Sequence, residues 1–171
     1  LKTLVESMPS PTAEVDIQKV NLEAMPYYGI KTEMAISDMS FEFFGESYGE
    51  IMGYLGEEAG ANMLMAPMAM FYDWDEENNR TVLEPAIAVN SDKPGNDRIV
   101  KNMSYAGSAL KAVHMGGFSA ETEHMALSAY MKENDLQWPE GQGAVEVYIT
   151  DPTTEPDTSK WITEVYYPYF E

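Results

Sequence analysis

Residues 145–170 read VEVYITDPTTEPDTSKWITEVYYPYF, two β-rich runs joined by a loop that holds Asp151, Pro152, Pro156 and Asp157. Prolines and aspartates between alternating runs specify a β-hairpin with a long, stiffened connection. In the first run Val145, Val147 and Ile149 alternate with Glu146, Tyr148 and Thr150; in the second, Thr163, Val165 and Tyr167 alternate with Ile162, Glu164 and Tyr166. A period of two sends alternate side chains to opposite faces of a sheet. With the aliphatic set of the first strand packed against helices, the other face carries Tyr148 and, from the partner strand, Glu164 beside Tyr166. A carboxylate among aromatic rings is a candidate binding site.

Outward from the hairpin, residues 108–114 read as a strand, Gly116-Gly117 as a turn, 119–134 as a helix with Met125, Ala126, Ala129 and Tyr130 inward, and 138–143 as a loop. The stretch His114-Met115-Gly116-Gly117-Phe118, the strand running from Glu146 to Asp151-Pro152, and the closing Trp161-Ile162-Thr163-Glu164-Val165-Tyr166-Tyr167-Pro168 resemble the GyrI-like family. The Asp-Pro strand end and the Thr-Glu-x-x-x-Pro strand are its most specific pieces. The resemblance implies a small-molecule-binding domain of the kind also found as the effector domain of multidrug-sensing transcription regulators. It implies a tandem duplication of a strand, helix and hairpin unit about a pseudo-twofold axis, with the ligand between the repeats. It also implies a ligand-facing glutamate in the closing strand, and Glu164 is the match. The expected pocket has Glu164 as its charge and Tyr148, Tyr166 and Trp161 as walls, with Phe71, Tyr72 or Trp74 from the first repeat. Trp161 is one step out of phase with Glu164, which places it at the rim or in the core.

The first half supports the duplication. Residues 15–24 and 27–35 read as two strands or one long bent strand with a bulge between, the ladder broken by Pro26 and Gly29. Ser40 then precedes residues 41–59, where Phe44, Tyr48, Ile51 and Leu55 recur at helical steps up to a stop at Gly60. Gly45, Gly49 and Gly53 lie four apart; each weakens a helix by about 1 kcal/mol relative to Ala, which close approach of that face to a sheet would explain. Met63, Met65, Met68 and Met70 read as core filling that also suits an adaptable pocket wall. Residues 65–72 and 81–89 form a second hairpin around an acidic tip at 73–79, which lacks the glycine and distal glutamate of a calcium loop. A polar loop, 91–102, separates the halves. Aligning the hairpins sets Tyr72 against Tyr148 and Glu84-Pro85 near Glu164. The expected fold is therefore α+β: an antiparallel sheet built from a duplicated unit, two helices on one face and a ligand cleft on the other.

Composition sets the outer limits. A chain of 171 residues with 44% apolar content supports one domain, read here as residues 13–171. Residues 1–12 read as a linker or the tail of an upstream domain, because Leu1, Leu4, Val5 and Met8 have helical spacing before Pro9-Ser10-Pro11. That piece resembles the end of the C-terminal helix of a helix-grip domain of the SRPBCC type. Twenty-nine acids against ten bases give a formal charge of −19, which repels phosphate backbones, so no direct nucleic-acid binding by this chain is expected. The plain reading of the acidity is solubility or a salt-adapted source; the alternative is an acidic face for a basic protein partner or a cationic ligand. Cysteine is absent, which removes disulfides and thiolate chemistry. His114 and His124 are the two imidazoles, His114 read as structural and His124 as exposed; no metal and no cofactor is expected. No stretch is long and apolar enough to span a bilayer, so a cytoplasmic location is expected, with tethering through an upstream segment left open.

Three functions follow. The leading one, which the resemblance implies, is capture of a lipophilic, cationic or aromatic small molecule by a sensor or sequestering module, with catalysis left open. The alternatives implied by the resemblance are a hydrolase of reactive cyclopropane-type molecules using the same pocket, and a protein-interaction module like the gyrase inhibitor that names the family.

Overall fold

The computed structural model describes residues 15–117 and 119–171; the linker expected at 1–12 lies outside them. Alternating runs form strands β1 (Gln18–Leu22), β2 (Pro26–Gly29), β3 (Thr32–Met34), β4 (Met68–Asp75), β5 (Arg80–Ala88), β6 (Val100–Met103), β7 (Gly107–Met115), β8 (Ala144–Tyr148) and β9 (Ile162–Pro168). Among the described residues three α-helices accompany them: α1 (Phe41–Leu55), α2 (Glu58–Ala61) and α3 (Glu121–Glu133). None of the described helices is long and apolar enough to cross a membrane.

Helix α1 begins where the Ser40 side chain accepts the Phe43 N–H at 3.1 Å, which satisfies one of the amides that a helix start leaves without a partner. It ends four residues short of the expected stop, because Gly56 adopts φ +90°. That conformation is open to glycine and breaks the helical run into α1 and α2.

The strands form one antiparallel sheet in the order β1-β7-β9-β8-β4-β5-β2-β6, with β3 paired to β5. Read outward from the central β4–β8 pair, the order is β4, β5, β2 on one side and β8, β9, β7 on the other. Each side is one strand-helix-hairpin unit, so the duplication is present as expected. The outermost strands are exchanged. β1 runs into β2 along the chain yet pairs with β7, and β6 runs into β7 yet pairs with β2. Each repeat is edged by the strand that precedes the other, which couples the halves into one unit. Strand β6 lies in the stretch expected to be loop; all four of its residues are exposed, so no apolar alternation marks it.

Both helices pack on one face, as expected. Ile51 of α1 lies in a cluster with Tyr28 of β2, Ile87 of β5 and Val89 just after β5. Leu127 and Met131 of α3 lie in another with Leu110, Ala112, Val165 and Tyr167 from β7 and β9. The opposite face buries a third cluster built on Tyr27, Met68, Met70, Ala86, Ala88 and Val147. The methionines are thus core filling, at the centre of the sheet. The glycines of α1 have a different setting from the one expected, since a Cβ at Gly45, Gly49 or Gly53 would meet no atom within 4 Å. They face open space, and no close approach to the sheet accounts for them.

Candidate functional site

The helices cover the outer strands of their own repeats, α1 on β2 and β5, α3 on β7 and β9. The central strands β4 and β8 are left without a helix above them. The space between the helices is a cavity of about 1530 Å³ lined by α1, α3, β4, β8 and the loops that follow β4 and β8. This corrects the expected position of the cleft, which lies on the helix face and not on the opposite one.

The reason is the orientation of β8. Val145 and Val147 face away from the helices, packing with Met68 and Met70, while Glu146 and Tyr148 face the cavity. The pairing register sets Val147 opposite Glu164, Val145 opposite Tyr166 and Tyr148 opposite Thr163. Directly paired residues share a face, so Tyr148 and Glu164 lie on opposite sides of the sheet, a correction to the expectation that they share one. Glu164 accepts the Tyr166 hydroxyl at 2.8 Å and pairs with the Lys111 ammonium at 3.1 Å. The Trp161 indole donates to the Glu155 carbonyl at 2.7 Å, ahead of β9. These three residues are outside the cavity lining; Phe71, Tyr72, Trp74 and Tyr148 are within it. Tyr72 borders the cavity with its hydroxyl turned to Glu84 at 2.6 Å and the Lys31 ammonium 4.4 Å above its ring.

Glu146 is the carboxylate that reaches the cavity floor. It pairs across the central strands with Ala69, a side chain too small to cover it, and only 8% of the residue is exposed. One carboxylate oxygen accepts the Tyr148 hydroxyl at 2.8 Å, and the other lies 2.5 Å from His124 Nε2. His124 Nδ1 lies 2.8 Å from the Tyr167 hydroxyl. Tyr48, whose hydroxyl donates to the Met68 carbonyl at 2.8 Å, completes the inner wall from α1. Burial, and then the nearby Glu146 charge, push the Tyr48 and Tyr148 phenols well up, and burial pushes Tyr167 up to about 12. The inner wall therefore presents neutral phenol rings around one carboxylate.

Aromatic packing extends this wall outward. Phe44 meets Tyr148 edge-on at 5.8 Å, Phe71 meets Trp74 at 6.0 Å and Trp138 lies 4.9 Å from Tyr167. Phe41, Trp74, Met125, Trp138 and Ile149 line the cavity yet are each more than 40% exposed, so the mouth is an open apolar patch, which a folded chain rarely leaves without a use. Met125, expected inward on its helix, stands on this rim. The described lining includes Asp73, Glu76, Glu121, Glu146 and Asp151 and contains neither lysine nor arginine.

Sequence reasoning did not single out Glu146 and His124. The signal for Glu146 was present, since it precedes Tyr148 by two residues and must share its face. His124 is not simply exposed; it turns into the cavity from α3. His114 is structural as expected, with Nδ1 2.8 Å from Glu123 and Nε2 2.7 Å from the Gly117 carbonyl.

A family model described as the GyrI-like small molecule binding domain matches residues 15–169. No curated protein matches the sequence. Among solved structures, EcmrR in a complex with DNA aligns with 92% of this chain at 16% identity and a TM-score of 0.76. The alignment covers 58% of that chain, so the present chain spans less than two thirds of its length. The isolated EcmrR C-terminal domain is covered to 98% at 17% identity, with a TM-score of 0.69. A hydrolase from Listeria innocua aligns over 99% of this chain and 98% of its own at 13% identity and a TM-score of 0.58. SAV2435 bound to tetraphenylphosphonium aligns over 91% of this chain and 94% of its own at 14% identity and a TM-score of 0.56. At these identities the likeness is one of fold.

Proposed function

Since the chain belongs to the GyrI-like small-molecule-binding domain family, we propose that it captures lipophilic organic cations in the cavity between α1 and α3, as a sensing or sequestering module. The observation that carries this reading is Glu146, a buried carboxylate on a floor of neutral tyrosines, with no lysine or arginine in the described lining. A cation over an aromatic face gains roughly 0.5 to 2 kcal/mol, and rings that a hydrophobic guest removes from water add about 25 cal/mol per Å² of apolar surface. Phe71, Trp74 and Tyr148 are the expected residues that keep a ligand-facing role in this reading; Glu146 takes the role of counter-charge. The ligand bound to SAV2435 is an aryl phosphonium cation, which makes it a natural first probe. Nucleic-acid contact, if the whole protein makes any, is assigned to a part outside this acidic chain.

Trp74 and Trp138 line the cavity and report on occupancy by fluorescence quenching. Titration with tetraphenylphosphonium and with neutral triphenylphosphine oxide at equal ionic strength is expected to show at least a tenfold preference for the cation. Equal affinity for the two would overturn the assignment.

A further inference from the structure

Resting on that reading of the cavity, we propose that His124 determines its selectivity, as an internal cation that competes with the ligand for Glu146. The geometry is specific. His124 Nε2 lies 2.5 Å from Glu146, and its side chain keeps 28% exposure on the cavity side against 10% for the carboxylate. A guest cation drawn to Glu146 therefore arrives beside the imidazole. Histidine changes charge between about pH 5 and 8, and a protonated His124 already supplies the positive charge that a ligand would bring.

The surroundings accept both protonation states. In the neutral ring Nε2–H donates to Glu146, and the Tyr167 hydroxyl donates to Nδ1 at 2.8 Å. After protonation Nδ1–H donates to the Tyr167 oxygen, and the Tyr167 hydroxyl has a second acceptor in the His124 carbonyl at 3.3 Å. No buried group loses its partner in either state, so charging the ring does not require unfolding. Glu146 on β8 and Tyr167 on β9 contact the ring. The other titratable groups that line the cavity come from several elements: Tyr148 from β8, Tyr48 from α1, Glu121 from α3, Tyr72 and Asp73 from β4, and Glu76 and Asp151 from the loops. Glu123, also on α3, is engaged by His114.

Linkage makes the competition measurable in two directions. Protons weaken cation binding, and a bound cation expels a proton, by the same factor. Neutral ligands escape both effects, so the ring also sets which ligand class is preferred at a given pH.

The test uses tetraphenylphosphonium and triphenylphosphine oxide on the wild-type chain and on His124→Gln, whose amide still reaches Glu146. Wild-type affinity for the phosphonium is expected to fall about threefold or more from pH 8.5 to 6.0, with the oxide changing by less than about 1.5-fold. In His124→Gln the phosphonium ratio should drop below about 1.5-fold. Calorimetry of the wild type near pH 6.5, in two buffers of different ionisation enthalpy, should show proton release on phosphonium binding, a result that does not depend on the variant folding. Phosphonium binding at pH 8.5 with an unchanged pH ratio in the variant, or with no proton release in the wild type, overturns this inference alone. Absence of phosphonium binding at pH 8.5 overturns the functional reading and this inference with it.

Discussion

Replacing Glu146 by Gln changes one charge and almost no volume, which makes it the sharpest perturbation of the cavity. The amide oxygen can still accept the Tyr148 hydroxyl, now 2.8 Å away. The amide N–H can donate to His124 Nε2 if the ring carries its proton on Nδ1 and donates to Tyr167, whose hydroxyl then turns to the His124 carbonyl. Every polar group keeps a partner, so the fold should lose no more than about 1 kcal/mol. Binding should change more. A unit charge pair 4 Å apart at an effective dielectric of about 20 is worth about 4 kcal/mol, which sets a ceiling. Desolvation of the cation and the loosened bonds to His124 and Tyr148 offset part of it, leaving about 1.4 to 2.8 kcal/mol, a tenfold to hundredfold weakening. The neutral triphenylphosphine oxide touches the same rings and should change less than threefold. Quenching of Trp74 and Trp138 at pH 8.5, with calorimetry as a second readout, measures both ligands. Equal losses for cation and neutral ligand, or no loss for either, would refute Glu146 as the recognition charge.

Gly29→Ala should cost about 2 to 4 kcal/mol in denaturant unfolding, because its Cβ would stand 2.7 Å from the Glu84 carboxylate that the Tyr72 hydroxyl holds at 2.6 Å; adding Glu84→Ala should recover part of the overpacking cost, and no recovery would argue against the clash. Gly49→Ala, exposed on α1 with nothing near its Cβ, should stabilise by about 0.5 to 1 kcal/mol, read as a melting temperature raised by about 1 to 4 °C. Burial raises Tyr27 and Tyr167 to about 12, and pushes Tyr48, Tyr72, Tyr148 and Tyr166 up as well. Because these folded-state values exceed the ordinary phenol value near 10, the stability they contribute is complete below pH 10 and is lost as pH rises through about 12. A spectrophotometric titration should show these six phenols ionising only as the chain unfolds; their ionisation near pH 10 with the fold intact would contradict the packing.

Much of the architecture was readable along the chain. The alternation in residues 144–148 and 162–168, the helical steps from Phe44 to Leu55 and the repeated order of elements are local signals, and each appears as expected. Strand β6 was not readable, since Val100 to Met103 carry no apolar alternation and are held by pairing to β2. The exchange of β1 and β6 between repeats was equally hidden, because chain order suggests the opposite pairing.

The site divides the same way. Sequence by itself determined that Glu146 and Tyr148 share one face, that Glu164 and Tyr166 share one face, and that the chain carries far more acid than base. It could not decide which of those faces meets the helices. An alternating strand is consistent with either orientation, and Val145 and Val147 would be buried in both. Only the assembled sheet chose: helices over the outer strands left β4 and β8 uncovered, and pairing of Val147 with Glu164 sent one carboxylate to each side. Periodicity is a property of neighbours along the chain, whereas a cavity is a property of which distant elements fail to meet.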